Sequence, residues 1–203
     1  RWLQATSAGI GEYVGRMGYA ESMPGTVFTT ASGVHAKPLA EFCVMAMIAF
    51  HKKLLQTLRD QRVRHWERFA GADLEGQTLV IVGVGRIGKE IARLAKAFGM
   101  RVGFFDPYLP VGHELALGFE RFDTLEALMR CSDLLSIHAL LSAETRHMIN
   151  ATTLDFLPKG AVLVNTSRGA LVDFDAVGRA LESGSLLAAG LDVFETEPLD
   201  RND

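Results

Sequence analysis

From Thr78 onward, short apolar runs alternate with amphipathic stretches. Thr78 to Val82, Arg101 to Phe105, Leu134 to His138, Ala161 to Val164 and Leu186 to Phe194 are rich in β-branched, leucine and aromatic residues, the pattern of buried strands. Between them, Arg86 to Phe98, Thr124 to Cys131 and Phe174 to Glu182 repeat apolar residues at helical spacing. Gly99 follows the first of these as a C-cap, while Asp173 precedes the last as an N-cap and Gly184 follows it. Strands alternating with helices over this length predict an α/β fold with a doubly wound parallel sheet.

Upstream the pattern changes. Trp2 to Thr6 reads as a strand, Ser7 to Gly11 as a glycine-containing loop, Glu12 to Tyr19 as a short helix and Val27 to Thr30 as a second strand. This βαβ unit has too little apolar surface to fold alone. From Lys37 a long helix is expected. Leu39, Phe42, Cys43, Met45, Ala46, Ala49 and Phe50 share one face, Pro38 occupies the first turn, and the pattern weakens through Leu54, Leu55 and Leu58 into Arg59 to Arg68. The organisation read from this is a remnant of one domain over residues 1–35 and a second domain over 36–203.

Composition narrows the function classes. The 203 residues are 48% hydrophobic and 22% charged, enough apolar content for a buried core. The net charge of −3 shows no basic excess, which argues against nucleic acid as a partner. The longest strongly apolar run, Phe42 to Phe50, is too short to span a bilayer and ends in His51-Lys52-Lys53. Cys43 and Cys131 form no disulfide framework and read as reduced core residues. With no signal-peptide pattern in the first residues, the expected location is the cytoplasm. Arg59, Arg62, Arg64 and Arg68 read as a solvated helix face. No spaced cluster of His, Cys and carboxylates suggests a metal site. The start at Arg1 and the stop just after Glu197-Pro198-Leu199 read as those of a fragment, and a longer protein is expected.

Gly83-Val84-Gly85-Arg86-Ile87-Gly88 is G-x-G-x-x-G between an expected strand and an expected helix, the context that gives this motif meaning. The first glycine makes a tight turn, the second lets backbone approach a pyrophosphate, and the third lets helix pack on strand. The N–H groups of Arg86 and Ile87 then open a helix N-terminus, which favours anions. Asp106 lies 23 residues after Gly83, at the end of the next strand, where a carboxylate accepts hydrogen bonds from ribose hydroxyls and repels a 2′-phosphate. No Arg or Lys occurs from Phe105 to Leu109. The cofactor expected is NAD in preference to NADP.

Two later segments carry the chemistry. In Val164-Asn165-Thr166-Ser167-Arg168-Gly169-Ala170-Leu171-Val172-Asp173 an arginine emerges at the carboxyl end of a strand, where open α/β sheets bind ligands. Its fork suits a planar carboxylate with a neighbouring keto oxygen. In Gly190-Leu191-Asp192-Val193-Phe194-Glu195-Thr196-Glu197-Pro198-Leu199 another strand ends in carboxylates.

With the glycine fingerprint, these segments resemble the D-isomer-specific 2-hydroxyacid dehydrogenase family, and the resemblance runs over nearly the whole chain. Ser7-Ala8-Gly9-Ile10 is similar to its substrate loop, Ala40-Glu41-Phe42 to the start of its interdomain helix, and Ile137-His138 with Glu144-Thr145-Arg146 to its adenine-side loop. The resemblance implies a Rossmann sheet preceded by part of a flavodoxin-like substrate domain, and an NAD-dependent exchange between a 2-keto acid and a D-2-hydroxy acid. It implies that Arg168 holds the substrate carboxylate and polarises the ketone, and that Glu197 is the carboxylate paired with a catalytic histidine. Asp192 would contact the nicotinamide carboxamide, with Ala139, Leu140, Thr145, Thr166 and Ser167 along the cofactor, and the backbone of Ala8 and Gly9 would meet the substrate. The family's histidine lies further along than Asp203, so the fragment is expected to lack it. Glu195 reads as a solvated loop residue, as do His51, His65, His113 and His147 on helix or loop surfaces, while His138 reads as packing or cofactor contact. Leu140 stands where the family often has proline, which predicts a less rigid loop, and Gly11 replaces a common aspartate. A homodimer through the cofactor domain is expected, since the apolar face of Lys37 to Phe50 is long for a connector. The competing reading is an NAD-sensing scaffold resembling the C-terminal-binding corepressors, which keep the same motifs.

Overall fold

The computed structural model describes residues 1–200. In chain order the elements are β1 (Trp2–Gln4), α1 (Gly11–Arg16), α2 (Tyr19–Ser22), β2 (Val27–Thr29), α3 (Ala36–His51), α4 (Leu54–Val63), β3 (Thr78–Val82), α5 (Arg86–Ala97), β4 (Arg101–Phe105), α6 (His113–Leu117), β5 (Glu120–Arg121), α7 (Leu125–Arg130), β6 (Leu134–Ile137), α8 (Ala151–Leu154), β7 (Ala161–Asn165), α9 (Phe174–Glu182) and β8 (Leu186–Leu191). Strands β5-β4-β3-β6-β7-β8 form one parallel sheet in that order, and β1 and β2 pair in a separate two-stranded parallel sheet. The strand order reverses between β3 and β6. This is the switch point of a Rossmann sheet, and a crevice opens there at the carboxyl ends.

The apolar pattern explains the layers. Every residue of β3 and β7 is buried, as strands covered on both faces require. On one side α3 and α5 cover the sheet, with Cys43, Met47, Ile91 and Ala95 packed against Leu79, Ile81 and Val164. On the other, Leu128, Met129, Leu154, Val177 and Leu171 cover Val80, Val82, Leu135 and Leu163. Each large side chain so enclosed contributes on the order of 1.5–3 kcal/mol. Helix α3 lies close on β8, and a Cβ added at Gly190 would stand 3.1 Å from that of Ala46. Caps set the boundaries where the pattern predicts them. The Asp173 side chain accepts from the Ala176 N–H at 3.0 Å and Thr124 accepts from the Ala127 N–H at 3.1 Å. Gly99 takes φ +73° just past α5.

Several expectations are corrected. The helical pattern from Lys37 to Arg68 is two helices, because Lys53 adopts φ +54° and turns the chain between α3 and α4. His51 is not a surface residue: it is only 7% exposed, with Nδ1 2.9 Å from the Met47 carbonyl oxygen, and the returning connector bonds its carbonyl through the Ala72 N–H. The last strand stops at Leu191 rather than Phe194 because its partner β7 ends at Asn165, directly opposite. The N-terminal helix breaks at Gly18, which has φ +62°. Helices α6 and α8 and the two-residue strand β5 have no counterpart in the expected elements. All are too short to show a period. No helix among the described residues is long and apolar enough to cross a membrane.

Gly88 makes the α5–β3 contact possible. A Cβ there would lie 2.5 Å from the Gly83 carbonyl oxygen and 3.2 Å from Ile81 Cγ2. Gly88→Ala is therefore expected to destabilise the protein by roughly 1–3 kcal/mol through overpacking. Urea unfolding measures this, and an unchanged midpoint would contradict the close approach.

Candidate cofactor and substrate site

The crevice is built from the ends of five strands, β3, β4, β6, β7 and β8. β3 and β4 pair over all five residues, from Thr78 opposite Arg101 to Val82 opposite Phe105, and Gly83 extends this ladder by donating its N–H to the Phe105 carbonyl at 2.9 Å. At φ +91° Gly83 then turns so tightly past β6 that a Cβ would be 2.7 Å from the His138 carbonyl oxygen and 2.9 Å from the Ala139 nitrogen. Gly85 differs: a Cβ there would meet nothing within 4 Å, and as the N-cap of α5 it brings no side-chain acceptor. The first N–H groups of α5, from Arg86, Ile87 and Gly88, have no intrahelical partner, and Gly85 leaves space beside the start of the helix. That is the cradle a pyrophosphate requires. Asp106 closes the cradle on the far side. Its Oδ2 accepts from the Val84 N–H at 2.9 Å and its Oδ1 from the Tyr108 N–H at 3.0 Å, which leaves lone pairs for further donors. These residues fit a dinucleotide.

Strand β7 delivers Arg168. Asn165, fully buried, holds the turn with both ends of its amide: Oδ1 accepts from the Ser167 N–H at 3.0 Å and Nδ2 donates to the Arg168 carbonyl at 2.9 Å. Ser167 Oγ donates to the Ala139 carbonyl at 2.7 Å, tying the ends of β7 and β6 together. The Arg168 guanidinium is exposed to the crevice, donates to the Ser167 carbonyl at 2.7 Å, and lies against the N-terminal loop. A Cβ on Gly9 would be 2.6 Å from Arg168 Nη2. Ala8 and Gly9 are thus brought to Arg168 from outside the six-stranded sheet.

The segment after β8 is pressed onto the same turn. A Cβ at Gly169 would stand 2.0 Å from the Phe194 carbonyl carbon, so only hydrogen fits there. The Phe174 and Phe194 rings stack 5.6 Å apart. The Asp192 N–H donates to the Asn165 carbonyl at 3.0 Å, and Glu197 Oε1 accepts from the Phe194 N–H at 2.8 Å. Glu195 is exposed in its loop, as the sequence suggests, and there pairs with the Arg146 guanidinium, with His147 Nε2 at 3.3 Å. These pairs bind the loop after β6 to the segment carrying Glu197.

The loop after β6 is braced by a side-chain staple. Thr145 Oγ1 donates to the Leu140 carbonyl at 2.7 Å and accepts from the Ser142 N–H at 2.7 Å. That staple ties Leu140 and Ser142 to Thr145 and commits the Thr145 hydroxyl to its own loop. Below the crevice, Thr166 and Ser136 flank Cys43, whose Sγ is 3.8 and 3.9 Å from their hydroxyls, and Ser136 Oγ is 2.7 Å from His138 Nε2. Burial pushes the Cys43 thiol up and lowers His138 to about 3, so both stay neutral at ordinary pH. His138 Nδ1 is shut off from solvent without a partner.

Sequence reasoning found the glycine fingerprint, Asp106, Arg168, Asp192 and Glu197. It passed over Asn165 and Gly169 as individuals, although both lie inside the motifs quoted. An open groove bordered by Phe50, His51, Gly71, Asp133, Lys159 and Leu187 lies at the opposite, amino end of the strands.

Comparison with known proteins agrees with this geometry. Residues 44–203 match the model of the D-isomer specific 2-hydroxyacid dehydrogenase NAD binding domain, and the chain belongs to that family. It is 41% identical over 187 residues to the glyoxylate reductase of Aeropyrum pernix, covering 88% of this chain and 56% of that protein. The solved glyoxylate reductase of Paecilomyes thermophila superposes with a TM-score of 0.84 at 33% identity, over 99% of this chain and 60% of that one. The D-lactate dehydrogenase of Aquifex aeolicus, solved with NAD and lactic acid, gives a TM-score of 0.84 at 28% identity, over 97% and 59%. The chain spans about half the length or less of the curated relatives it matches.

The buried imidazole makes stability depend on pH. Unfolded, His138 takes up a proton near 6.5; folded, not until about 3. Its folded value is depressed, so its contribution is whole above about pH 6.5 and is lost as pH falls through that window, by up to about 1.4 kcal/mol per unit. Urea midpoints near neutral pH and two units lower should fall further for the natural protein than for His138→Asn. Equal falls would rule out the buried neutral ring.

Proposed function

We propose that the protein to which this chain belongs is an NAD-dependent oxidoreductase that interconverts a 2-keto acid and a D-2-hydroxy acid, of the glyoxylate, hydroxypyruvate, phosphoglycerate or D-lactate type. The observation that carries this reading is the contact between Arg168 and Gly9 beside an open pyrophosphate cradle. A guanidinium fork, a loop of free backbone N–H groups and a dinucleotide site meet in one crevice.

Residues 1–35 are read as part of the substrate domain and 36–203 as the cofactor domain. Bound NAD would supply or accept the hydride. The N–H groups of Arg86, Ile87 and Gly88 hold its phosphates, and the Asp106 carboxylate accepts from the ribose hydroxyls and repels a 2′-phosphate. Ala139, Leu140 and Thr145 line the adenine side, while Thr166, Ser167 and Asp192 border the nicotinamide side. Arg168 binds the substrate carboxylate through its fork and polarises the 2-keto oxygen, which gathers negative charge in the transition state. Ala8 and Gly9 offer N–H groups to the same carboxylate. Glu197 supports a protonated partner that exchanges a proton with the substrate oxygen. Among the described residues, no histidine of this chain hydrogen-bonds Glu197 or Arg168. The proton donor is therefore assigned to the remainder of the protein, by the family likeness a histidine.

A cytoplasmic homodimer completes the reading. Met45, Leu54, Leu55 and Leu58 on α3 and α4 are exposed apolar side chains that a second cofactor domain would cover. Light scattering of the full-length protein should give twice the monomer mass at micromolar concentration, and a monomer would count against it.

Two kinetic outcomes are expected of the full-length protein. The ratio of kcat/KM for NADH over NADPH exceeds one, and a ratio below one overturns the cofactor assignment. Arg168→Lys loses roughly 2–4 kcal/mol of transition-state stabilisation, about 30- to 1000-fold in kcat/KM for the keto acid, because lysine keeps the charge without the fork. NADH affinity should hardly change. Steady-state kinetics with glyoxylate and hydroxypyruvate, alongside NADH titration, check both parts. Undiminished keto-acid reduction by the variant would remove Arg168 from the chemistry.

A further inference from the structure

The sequence holds no cation between Phe105 and Leu109, yet the fold brings one there. Arg121 comes from β5, the two-residue edge strand that pairs with β4. Its guanidinium reaches under the loop that follows Asp106. Nη2 donates to the Asp106 carbonyl at 3.1 Å and to the Leu109 carbonyl at 2.8 Å, while Nη1 donates to the Pro110 carbonyl at 3.3 Å. Glu114 Oε2 stands 3.4 Å from Nη1, and the guanidinium carbon lies 5.8 Å from the centre of the Phe104 ring. The side chain is only 17% exposed. Three carbonyls of one loop thus converge on a single fork, inside the loop and not in the crevice.

This arrangement has two consequences for an adenosine ribose. The loop's course from Asp106 to Pro110 is fixed from within, and so is the backbone from which the Asp106 carboxylate projects. The Arg121 charge is also directed to carbonyls and to Glu114, so it offers no free fork to a 2′-phosphate, as a phosphate-binding arginine must. A lysine could not replace it, because one compact ammonium does not span three carbonyls. Asp106 also accepts from the Val84 and Tyr108 N–H groups, and Tyr108 lies within the stretch that Arg121 gathers, so the position of the carboxylate is coupled to that of the loop.

We propose that Arg121 is a positioning residue for cofactor selectivity: by gathering the carbonyls of Asp106, Leu109 and Pro110 it keeps the Asp106 carboxylate at the ribose site and its own charge away from a 2′-phosphate. The proposal rests on the reading of the crevice as an NAD site. It assigns discrimination to a residue that touches no cofactor.

The test is direct binding of NADH and of NADPH to the full-length protein by titration calorimetry, for the natural protein, Arg121→Ala and Arg121→Lys. Both variants should weaken NADH roughly 5- to 30-fold while NADPH changes by less than about 3-fold, so that the preference narrows. In kinetics the loss should appear in KM for NADH, with kcat at saturation nearly unchanged. A merely structural arginine would lower the melting temperature and leave the ratio of the two affinities where it was. An unchanged ratio in both variants overturns the proposal, whatever happens to stability. A larger loss for NADPH than for NADH also overturns it, because Arg121 would then be a phosphate ligand. If Arg121→Ala does not fold, Arg121→Lys decides by the same ratio. Tighter binding of NADPH by the natural protein would overturn the NAD reading itself. An NADH preference that both variants retain in full overturns only the role of Arg121.

Discussion

At Gly83 the backbone of β3 passes the backbone of β6 with no room for a methyl group, and at Gly169 the turn after β7 does the same against the segment after β8. Side chains cannot substitute for these contacts, because the constraint is the absence of one. Four strand ends are thereby drawn together at the carboxyl edge of the sheet. Pyrophosphate cradle, arginine and carboxylates can share one crevice only because main chain touches main chain at these two points. Gly88 extends the same logic to the helix, whose first turn packs directly on the end of the strand.

Around that frame, polar groups are arranged by how much freedom each function permits. Asn165 is fully buried, and its amide makes two bonds that set the Arg168 turn, so the guanidinium projects from a rigid base. Glu197 takes a backbone N–H from its own loop, while Glu195 ties that loop to Arg146 and His147. Surface ion pairs of this kind contribute little stability, about 0–1 kcal/mol. Their value here is geometric, since they join the loops after β6 and β8 across the segment bearing Arg168. Beneath the crevice the buried set of Cys43, Ser136, Thr166 and His138 stays neutral, because burial disfavours the charged forms of both thiol and imidazole.

Much of this was legible in the chain. Strand β3, helix α9 and strand β4 have the bounds that apolar runs and caps predict, because each is long enough for its period to show and is closed by a residue with a local role, such as Asp173 or Gly99. The glycine fingerprint was legible for the same reason: spacing, preceding strand and following helix are all local. Where the reading went astray, a distant partner decided. His51 is covered by a connector that returns some twenty residues later, through the Ala72 N–H. The last strand stops where its neighbour stops. Strand β5 is two residues long and exists only because β4 has an edge to pair with.

The sequence by itself determined the alternation of the longer strands and helices, the glycine fingerprint, the acidic residue at the end of β4 and the family to which these belong. Each follows from steric or hydrogen-bonding preferences that act within a few residues. Only the tertiary structure decided which side chains share the crevice: that Gly9 meets Arg168, that Gly169 meets Phe194, and that a cation absent from the loop after Asp106 arrives there on an edge strand. Such pairings depend on how far apart strand ends lie once the sheet has twisted and packed. No local pattern encodes that distance, because it is set jointly by every residue buried between the layers.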